Sequence, residues 1–305
     1  MVICAYKYCD KSRHSVFMEI KMDQFQKNSN PLAAFFRQPK IFIGLPSKGR
    51  FYPEGSLEVT ENGEYPVYAM TAKDELLFKT PDALLNGSAT VEVIKSCVPA
   101  IRDPWQMPSI DLDAILIAIR LATYGAEMDV TTTCPACNEE EDKAADLRQL
   151  LDNLRDLQFE EKIEIGSEMT VFIKPMAYSD ISKASIKTME QQRIFTIVND
   201  ETIPDEEKVK MFQQSFITLT NITIDVVAEC IRKIETSQGS TDSFEYIKEF
   251  LANTDRVVFD RINEHVKSMQ VKSKMKALDT TCSSCNHPYK LEISFDQSDF
   301  FGNGS

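Results

Sequence analysis

Hydrophobic and polar positions divide the chain into stretches of different period. Up to about residue 40 no clear period emerges, apart from a short apolar hook, Pro31-Leu-Ala-Ala-Phe-Phe. Ile41-Phe-Ile then reads as an extended start, followed by turns at Gly44, Pro46 and Gly49. Short strands are expected at 56–60 and 66–70, joined as a hairpin through Glu61-Asn-Gly. Lys73-Asp-Glu-Leu-Leu-Phe opens a mostly helical stretch, broken at Thr80-Pro81 and Asn86-Gly87. The clearest early helix covers 110–124. Leu112, Ile115, Leu116 and Ile119 share one stripe, with Pro108-Ser109 ahead of it and Gly125 behind.

Met128-Asp-Val-Thr-Thr-Thr has the look of a strand, and an acidic run follows at 139–142. Leu147, Leu150, Leu151, Leu154 and Leu157 then recur at helical spacing. A hairpin is expected from Lys162 to Ile173, turning at Gly166-Ser167. Residues 179–277 read as helical throughout. Ser179-Asp180 can cap one helix, and Pro204-Asp-Glu-Glu suits the first turn of the next. Val209, Phe212, Phe216 and Leu219 share a face of that helix; Val227/Cys230/Ile231/Ile234, Phe244/Ile247/Leu251 and Val258/Ile262/Val266/Met269 suggest three more. Lys290-Leu-Glu-Ile-Ser-Phe alternates as a strand.

Composition narrows the class. The 305 residues are 43% hydrophobic and 27% charged, as in an ordinary globular protein of about two domains. No apolar run reaches the roughly 20 residues of a membrane helix, and Met1–Asp10 lacks a signal peptide's apolar core, so cytosolic synthesis is expected. The net charge of −13 points away from a general nucleic-acid binder. The charge is uneven, however. Residues 1–50 hold nine Lys/Arg against three Asp/Glu, a balance of +6, so the remainder carries −19. Such an arm is either a solvated tail or a docking segment. Over residues 22–53, Phe35, Phe36, Arg37, Lys48, Arg50, Phe51 and Tyr52 combine aromatics with cations, the mixture interface hot spots favour.

Eight cysteines in a cytosolic chain favour metal ligation or buried thiols over disulfides. Two stretches stand out: Thr131-Thr-Thr-Cys-Pro-Ala-Cys-Asn and Thr280-Thr-Cys-Ser-Ser-Cys-Asn. Each is a Thr-rich strand running into Cys-x-x-Cys and an Asn. Two such knuckles complete a tetrahedral Cys₄ shell for Zn²⁺, formed by Cys134, Cys137, Cys282 and Cys285. A redox dithiol is the competing reading, but that motif usually opens a helix. Two unrelated thiol pairs are another; the repeated flanks favour one joint site. A full Cys₄ shell leaves no open position for water or substrate, so the metal is expected to be structural.

Other chemistry finds little support. Gly44-Leu-Pro-Ser-Lys-Gly has the outline of a phosphate loop but puts Arg50 and Phe51 where Lys and Ser/Thr are needed. His265 reads as a helix-flank residue and His287 as a turn residue. Cys97 and Cys230 follow apolar patterns and are expected to be buried. Trp105 is expected to anchor packing.

Taken in order, Ile43-Gly-Leu-Pro-Ser-Lys-Gly-Arg-Phe-Tyr-Pro, Met70-Thr-Ala-Lys-Asp-Glu-Leu-Leu, Thr80-Pro-Asp-Ala-Leu-Leu-Asn-Gly, Cys97-Val-Pro and the two knuckles resemble the baseplate hub protein family of T4-like contractile-tailed phages. The resemblance runs from about residue 30 to the C-terminus. It implies a non-enzymatic protein that acts in assembly or structure of the central hub, in the host cytoplasm or the virion tail. Its partners would be other hub subunits, with no nucleic acid, membrane or small-molecule substrate. A zinc-ribbon adaptor in a nucleic-acid machine is the alternative, which Glu139-Glu-Glu-Asp beside the knuckle disfavours. The expected fold is α+β: a flexible basic arm over 1–40, an α+β domain over 41–127, and a split zinc ribbon at 128–142 and 278–298. Residues 143–277 form a mostly helical insert with a hairpin at 162–173.

Overall fold

The computed structural model describes residues 30, 32, 35–80, 86–155, 157, 159–197, 204–272 and 277–291. The chain divides into two compact units, Met1–Gln38 and Pro39–Ser305. Most of the first unit, with Cys4 and Cys9, lies outside the described residues; Leu32, Phe35 and Phe36 within it are exposed.

The second unit mixes helix and strand around two apolar cores. In the first lobe, β1 (Pro39–Gly44) pairs antiparallel with β2 (Glu64–Tyr68), opposing Ile43 to Tyr65. This corrects the hairpin expected between 56–60 and 66–70. Ile43, Tyr65 and Val67 supply the buried face, whereas Val59 is 75% exposed and Leu57 makes only an isolated bridge to Ile101. Helix α1 (Ala72–Phe78) starts from a capping box, in which Thr71 Oγ1 accepts the Asp74 N–H and Asp74 accepts the Thr71 N–H. The same carboxylate accepts from Ser96 Oγ at 2.9 Å, tying α1 to α2 (Ser88–Cys97). Gly87 caps α2 at φ 77°, where a Cβ would lie 2.9 Å from the Tyr178 hydroxyl, so the site requires glycine. Helix α3 (Ser109–Tyr124) shows more than the single expected stripe. Every residue from Ala114 to Arg120 is buried, as in a helix with packing on all sides.

Two hairpin strands follow, β3 (Glu127–Thr133) and β4 (Glu140–Asp146), and then α4 (Leu147–Arg155), whose leucines join the first core. The second lobe holds a four-stranded antiparallel sheet in the order β5 (Lys162–Ile165), β6 (Met169–Ile173), β7 (Ile231–Thr236), β8 (Gly239–Thr241). Two helices, α5 (Tyr178–Ile197) and α6 (Asp205–Glu229), run between β6 and β7, while α7 (Phe244–Asn253) and α8 (Arg256–Lys272) follow β8. The expectation of uninterrupted helix over 179–277 is therefore corrected at 231–241. Ile231 and Ile234, three apart, suggest a helix, yet both are buried on one strand. Arg232 is an extra residue between the pairs Ile173↔Ile231 and Phe172↔Lys233, and this bulge resets which face looks inward.

The lobes meet where Pro108 bridges Ala177. Ser109 N–H donates to the Met176 carbonyl at 2.8 Å and Tyr178 N–H to the Met107 carbonyl at 2.9 Å. Trp105 stacks on Tyr178 at 5.7 Å, the anchoring role expected of it. The chain returns from the second lobe into a last hairpin, β9 (Leu278–Thr281) and β10 (Pro288–Leu291). Leu278 and Val130 both pack against the first core. Among the described residues no helix is long and apolar enough to cross a membrane.

Candidate metal centre

The β3–β4 and β9–β10 turns are built alike. Asn138 N–H donates to the Cys134 carbonyl at 2.9 Å and Asn286 N–H to the Cys282 carbonyl at 3.0 Å. Returning the chain to its partner strand, Cys134 N–H donates to the Glu139 carbonyl at 2.9 Å and Cys282 N–H to the His287 carbonyl at 3.0 Å. Each turn closes because its asparagine sits at positive φ, 57° for Asn138 and 59° for Asn286. Asparagine tolerates this left-handed region better than most side chains. The repeated Asn in the sequence carried that signal, but not its reason.

These turns aim backbone N–H groups at the sulfurs: Cys137 and Ala136 at Cys134, Glu139 at Cys137, His287 at Cys285. They also bring the four thiols together across nearly 150 residues of sequence. Cys134 Sγ lies 3.7 Å from Cys285 Sγ, Cys137 Sγ lies 3.6 Å from Cys282 Sγ, and all four fall within 4.8 Å of one another. A tetrahedral ion with metal–sulfur bonds of about 2.3 Å spaces its sulfurs by roughly 3.8 Å. The donor set therefore fits a soft divalent cation. Its electrostatics agree. Burial pushes the Cys134 thiol up, but the N–H groups of Cys137 and Ala136 prevail and hold it down at about 7. At Cys137 the Glu139 N–H lowers the thiol, yet the neighbouring sulfurs outweigh it and push it up to about 12. Four negative sulfurs this close need a shared positive charge.

Among the described residues the two hairpins are separate two-stranded sheets with no strand pairing between them. Side chains join them instead. Glu141 accepts from Ser283 N–H and from Tyr289 Oη, both at 3.0 Å, and pairs with Lys143 at 3.0 Å. Lys143 in turn donates to the Thr281 carbonyl and to Ser283 Oγ, both at 2.9 Å. The Ser283 N–H, aided by Lys143 and Tyr289, holds the Glu141 carboxyl down at about 2. Nothing in the acidic run 139–142 flagged Glu141 for this role.

The family model described as T4 bacteriophage base plate protein matches residues 52–302. The chain belongs to that family. Comparison with curated proteins and with solved structures finds no match. The matched span of this base plate protein contains both knuckles and every described element from β2 onward.

Residues 35–51 of the base plate protein precede the match, and Tyr52 opens it. Phe35 is 84% exposed, Phe36 is exposed and Arg37 is half-buried. The loop after β1 is held from within. Ser47, fully buried, donates to Asp111 through its N–H at 2.7 Å and its hydroxyl at 2.6 Å, and Tyr52 Oη donates to the same carboxylate at 3.0 Å. Ser47 is thereby committed to structure, which disposes of the phosphate-loop outline. Lys48 (φ 55°) and Phe51 (φ 70°) are left-handed there, a strain the Asp111 anchor sustains. Phe51 meets Phe159 edge-on at 5.6 Å, and Arg50 lies over the Phe51 ring and pairs with Glu161. Arg50, Phe51 and Tyr52 thus contact the protein's own lobes, while Lys48 remains exposed.

An apolar cavity of about 600 Å³ lies between the lobes, lined by Phe159, Met176, Met189, Val226 and Met269 among others. Cys230 borders it, with its thiol pushed up to about 12 by burial, and so is a poor nucleophile. Cys97 is buried as well, and His265 sits on an exposed helix flank, its Nε2 3.2 Å from the Glu160 carbonyl.

Proposed function

We propose that this base plate protein acts without catalysis in the assembly or structure of the baseplate central hub, with a zinc ion held by Cys134, Cys137, Cys282 and Cys285 as an internal clamp. The observation that carries this reading is the convergence of four sulfurs, joined by no fifth donor among the described residues, from two duplicated turns on either side of the second lobe. Bound zinc supplies cross-linking and charge neutralisation only, because four thiolates fill its shell. Glu141, Lys143 and Tyr289 orient the two hairpins, and the knuckle N–H groups stabilise the thiolates.

The partners on this reading are other hub subunits, met in the host cytoplasm during assembly and possessing neither nucleic-acid nor membrane character. Exposed Phe35 and Phe36, with Arg37 beside them in sequence, supply one contact segment, and exposed Lys48 on the loop after β1 is a contact residue in its own right. Native mass spectrometry of the purified chain tests the metal, with one zinc per chain expected. Co-purification from infected cells tests the role. Phe35→Ala/Phe36→Ala/Arg37→Glu is expected to lose the hub subunits while melting like the parent. Normal capture of hub subunits by that variant would remove the docking role.

A further inference from the structure

A loop of the first lobe reaches across to the second. Residues 47–52 hang between two attachments to Asp111 on α3: the Ser47 N–H and hydroxyl at 2.7 and 2.6 Å, and the Tyr52 hydroxyl at 3.0 Å. Between those attachments Arg50 pairs with Glu161, and Phe51 meets Phe159 edge-on at 5.6 Å. Both landing residues lie just ahead of β5. The Glu161 carbonyl accepts the Ile173 N–H at 2.7 Å, so the landing is tied to the sheet of the second lobe. Phe159 also lines the apolar cavity of about 600 Å³ between the lobes. A junction with unfilled volume resists relative movement less than a close-packed one, which gives the loop more of the task of holding it.

The loop is sprung. Lys48 (φ 55°), Gly49 (φ 74°) and Phe51 (φ 70°) are all left-handed, a conformation that lysine and phenylalanine resist unless their surroundings impose it. Gly49 passes the Tyr65 hydroxyl so closely that a Cβ there would lie 3.2 Å from it. What holds the loop is one fully buried carboxylate, Asp111. Burial raises that carboxyl to about 6, and its hydrogen bonds from Ser47 and Tyr52 offset only part of the rise. Tyr52 on the loop and Tyr65 on β2 face it. Burial first, and Asp111 second, push both phenols up, so of the three only Asp111 changes charge near neutral pH.

Proton linkage therefore sets how firmly the loop is held. Releasing it uncovers Asp111 to water, where the carboxyl returns to its ordinary 3.8. The closed loop binds the proton more tightly than the open one. Closure is thus fully favoured below about pH 4 and loses ground as pH rises through about 6. We propose that residues 47–52 form a proton-sensitive strap, which fastens the second lobe of this base plate protein to the first and loosens as Asp111 ionises. This inference is independent of the hub reading and of the metal.

Hydrogen exchange of the full chain with zinc supplied, read by mass spectrometry and corrected for intrinsic rates, tests it. The reporters are peptides spanning 45–52, in which the Ser47, Gly49 and Arg50 amides bond to Asp111 or within the loop. Opening should rise about tenfold from pH 5 to 7.5, the change expected of a carboxyl that moves between 3.8 and about 6. The Asn138 and Asn286 amides should keep their protection over that range; a loop change that merely follows them would overturn the proposal. Asp111→Asn should flatten the pH dependence. Phe51→Ala should raise opening at every pH with the slope unchanged, because it removes the landing and leaves Asp111 in place. Opening in the parent that ignores pH would sink the idea, as would a slope that survives in Asp111→Asn or opening that Phe51→Ala leaves unaltered.

Discussion

At the scale of single residues, Asp111 is the most consequential group outside the cysteines. It lies fully buried on α3 and takes three hydrogen bonds from the strained loop that carries Lys48 and Phe51. Burial raises its carboxyl from 3.8 to about 6, and the donors Ser47 and Tyr52 recover only part of the loss. A carboxyl raised on folding stabilises the protein fully below pH 4, and that contribution is lost as pH rises through about 6. The difference amounts to roughly 3 kcal/mol at 1.36 kcal/mol per unit. Asp111→Asn keeps an acceptor for the Ser47 N–H and has no charge to lose, while Ser47 and Tyr52 can turn to accept from its amide. Urea unfolding of both proteins from pH 4 to 8 should show the parent losing stability relative to the variant across that window; a constant gap would mean the carboxylate is not strained by burial. Asn138 and Asn286 allow a second test. Glycine at either φ should preserve zinc affinity, whereas Asn138→Val places a β-branched residue in the left-handed region. It should weaken binding about tenfold in a chelator competition, corresponding to the 1–2 kcal/mol of that conformation.

At the scale of elements, β4 shows why part of the site was hidden. Glu140–Asp146 has almost no strand propensity, yet it pairs along its whole length with β3. Its inward positions are Glu141, Lys143 and Ala145, so the alternation that marks a strand is there but written in charges. A search for apolar period cannot find a strand whose inner face is an ion pair. The bulge at Arg232 concealed β7 in a different way, by giving Ile231 and Ile234 a helix-like spacing. By contrast, α3 and the β5–β6 hairpin lie within a residue or so of where the pattern put them, because pattern and burial agree there. The partnership of the two knuckles was legible for another reason: identical flanks imply identical turns, and identical turns present sulfurs alike. Glu141→Gln tests the join between the hairpins. The amide can accept from Tyr289 or Ser283 but must turn its own N–H₂ toward a second donor. Zinc transfer to a chelator should be faster in this variant, with faster hydrogen exchange at Ser283 N–H; an unchanged transfer rate would mean that the sulfurs alone hold the hairpins.

At the scale of the whole molecule, the cysteines close a loop around the second lobe. The chain leaves the first core after α4, forms the sheet and helices of the second core, and returns through Leu278, which packs on the first core again. Joining Cys134 and Cys137 to Cys282 and Cys285 therefore pins both ends of the second lobe to the first. Structural zinc in small fingers supplies on the order of 10 kcal/mol of folding free energy, because those domains have almost no core of their own. Here each lobe has an independent apolar core, and the lobes also meet through Trp105, Tyr178 and the Pro108–Ala177 bridge. A metal ion held by the four sulfurs should then govern how the lobes are held more than whether they fold. Chelation, or Cys282→Ser, is expected to leave far-ultraviolet circular dichroism near its starting value at room temperature. The melting temperature should fall, and the single transition should broaden or split as the lobes uncouple. Calorimetry before and after chelation reads this directly, with zinc added back as the control. Complete loss of helix on chelation would show that the cores depend on the metal after all, and an unchanged melt would show that the four sulfurs clamp nothing.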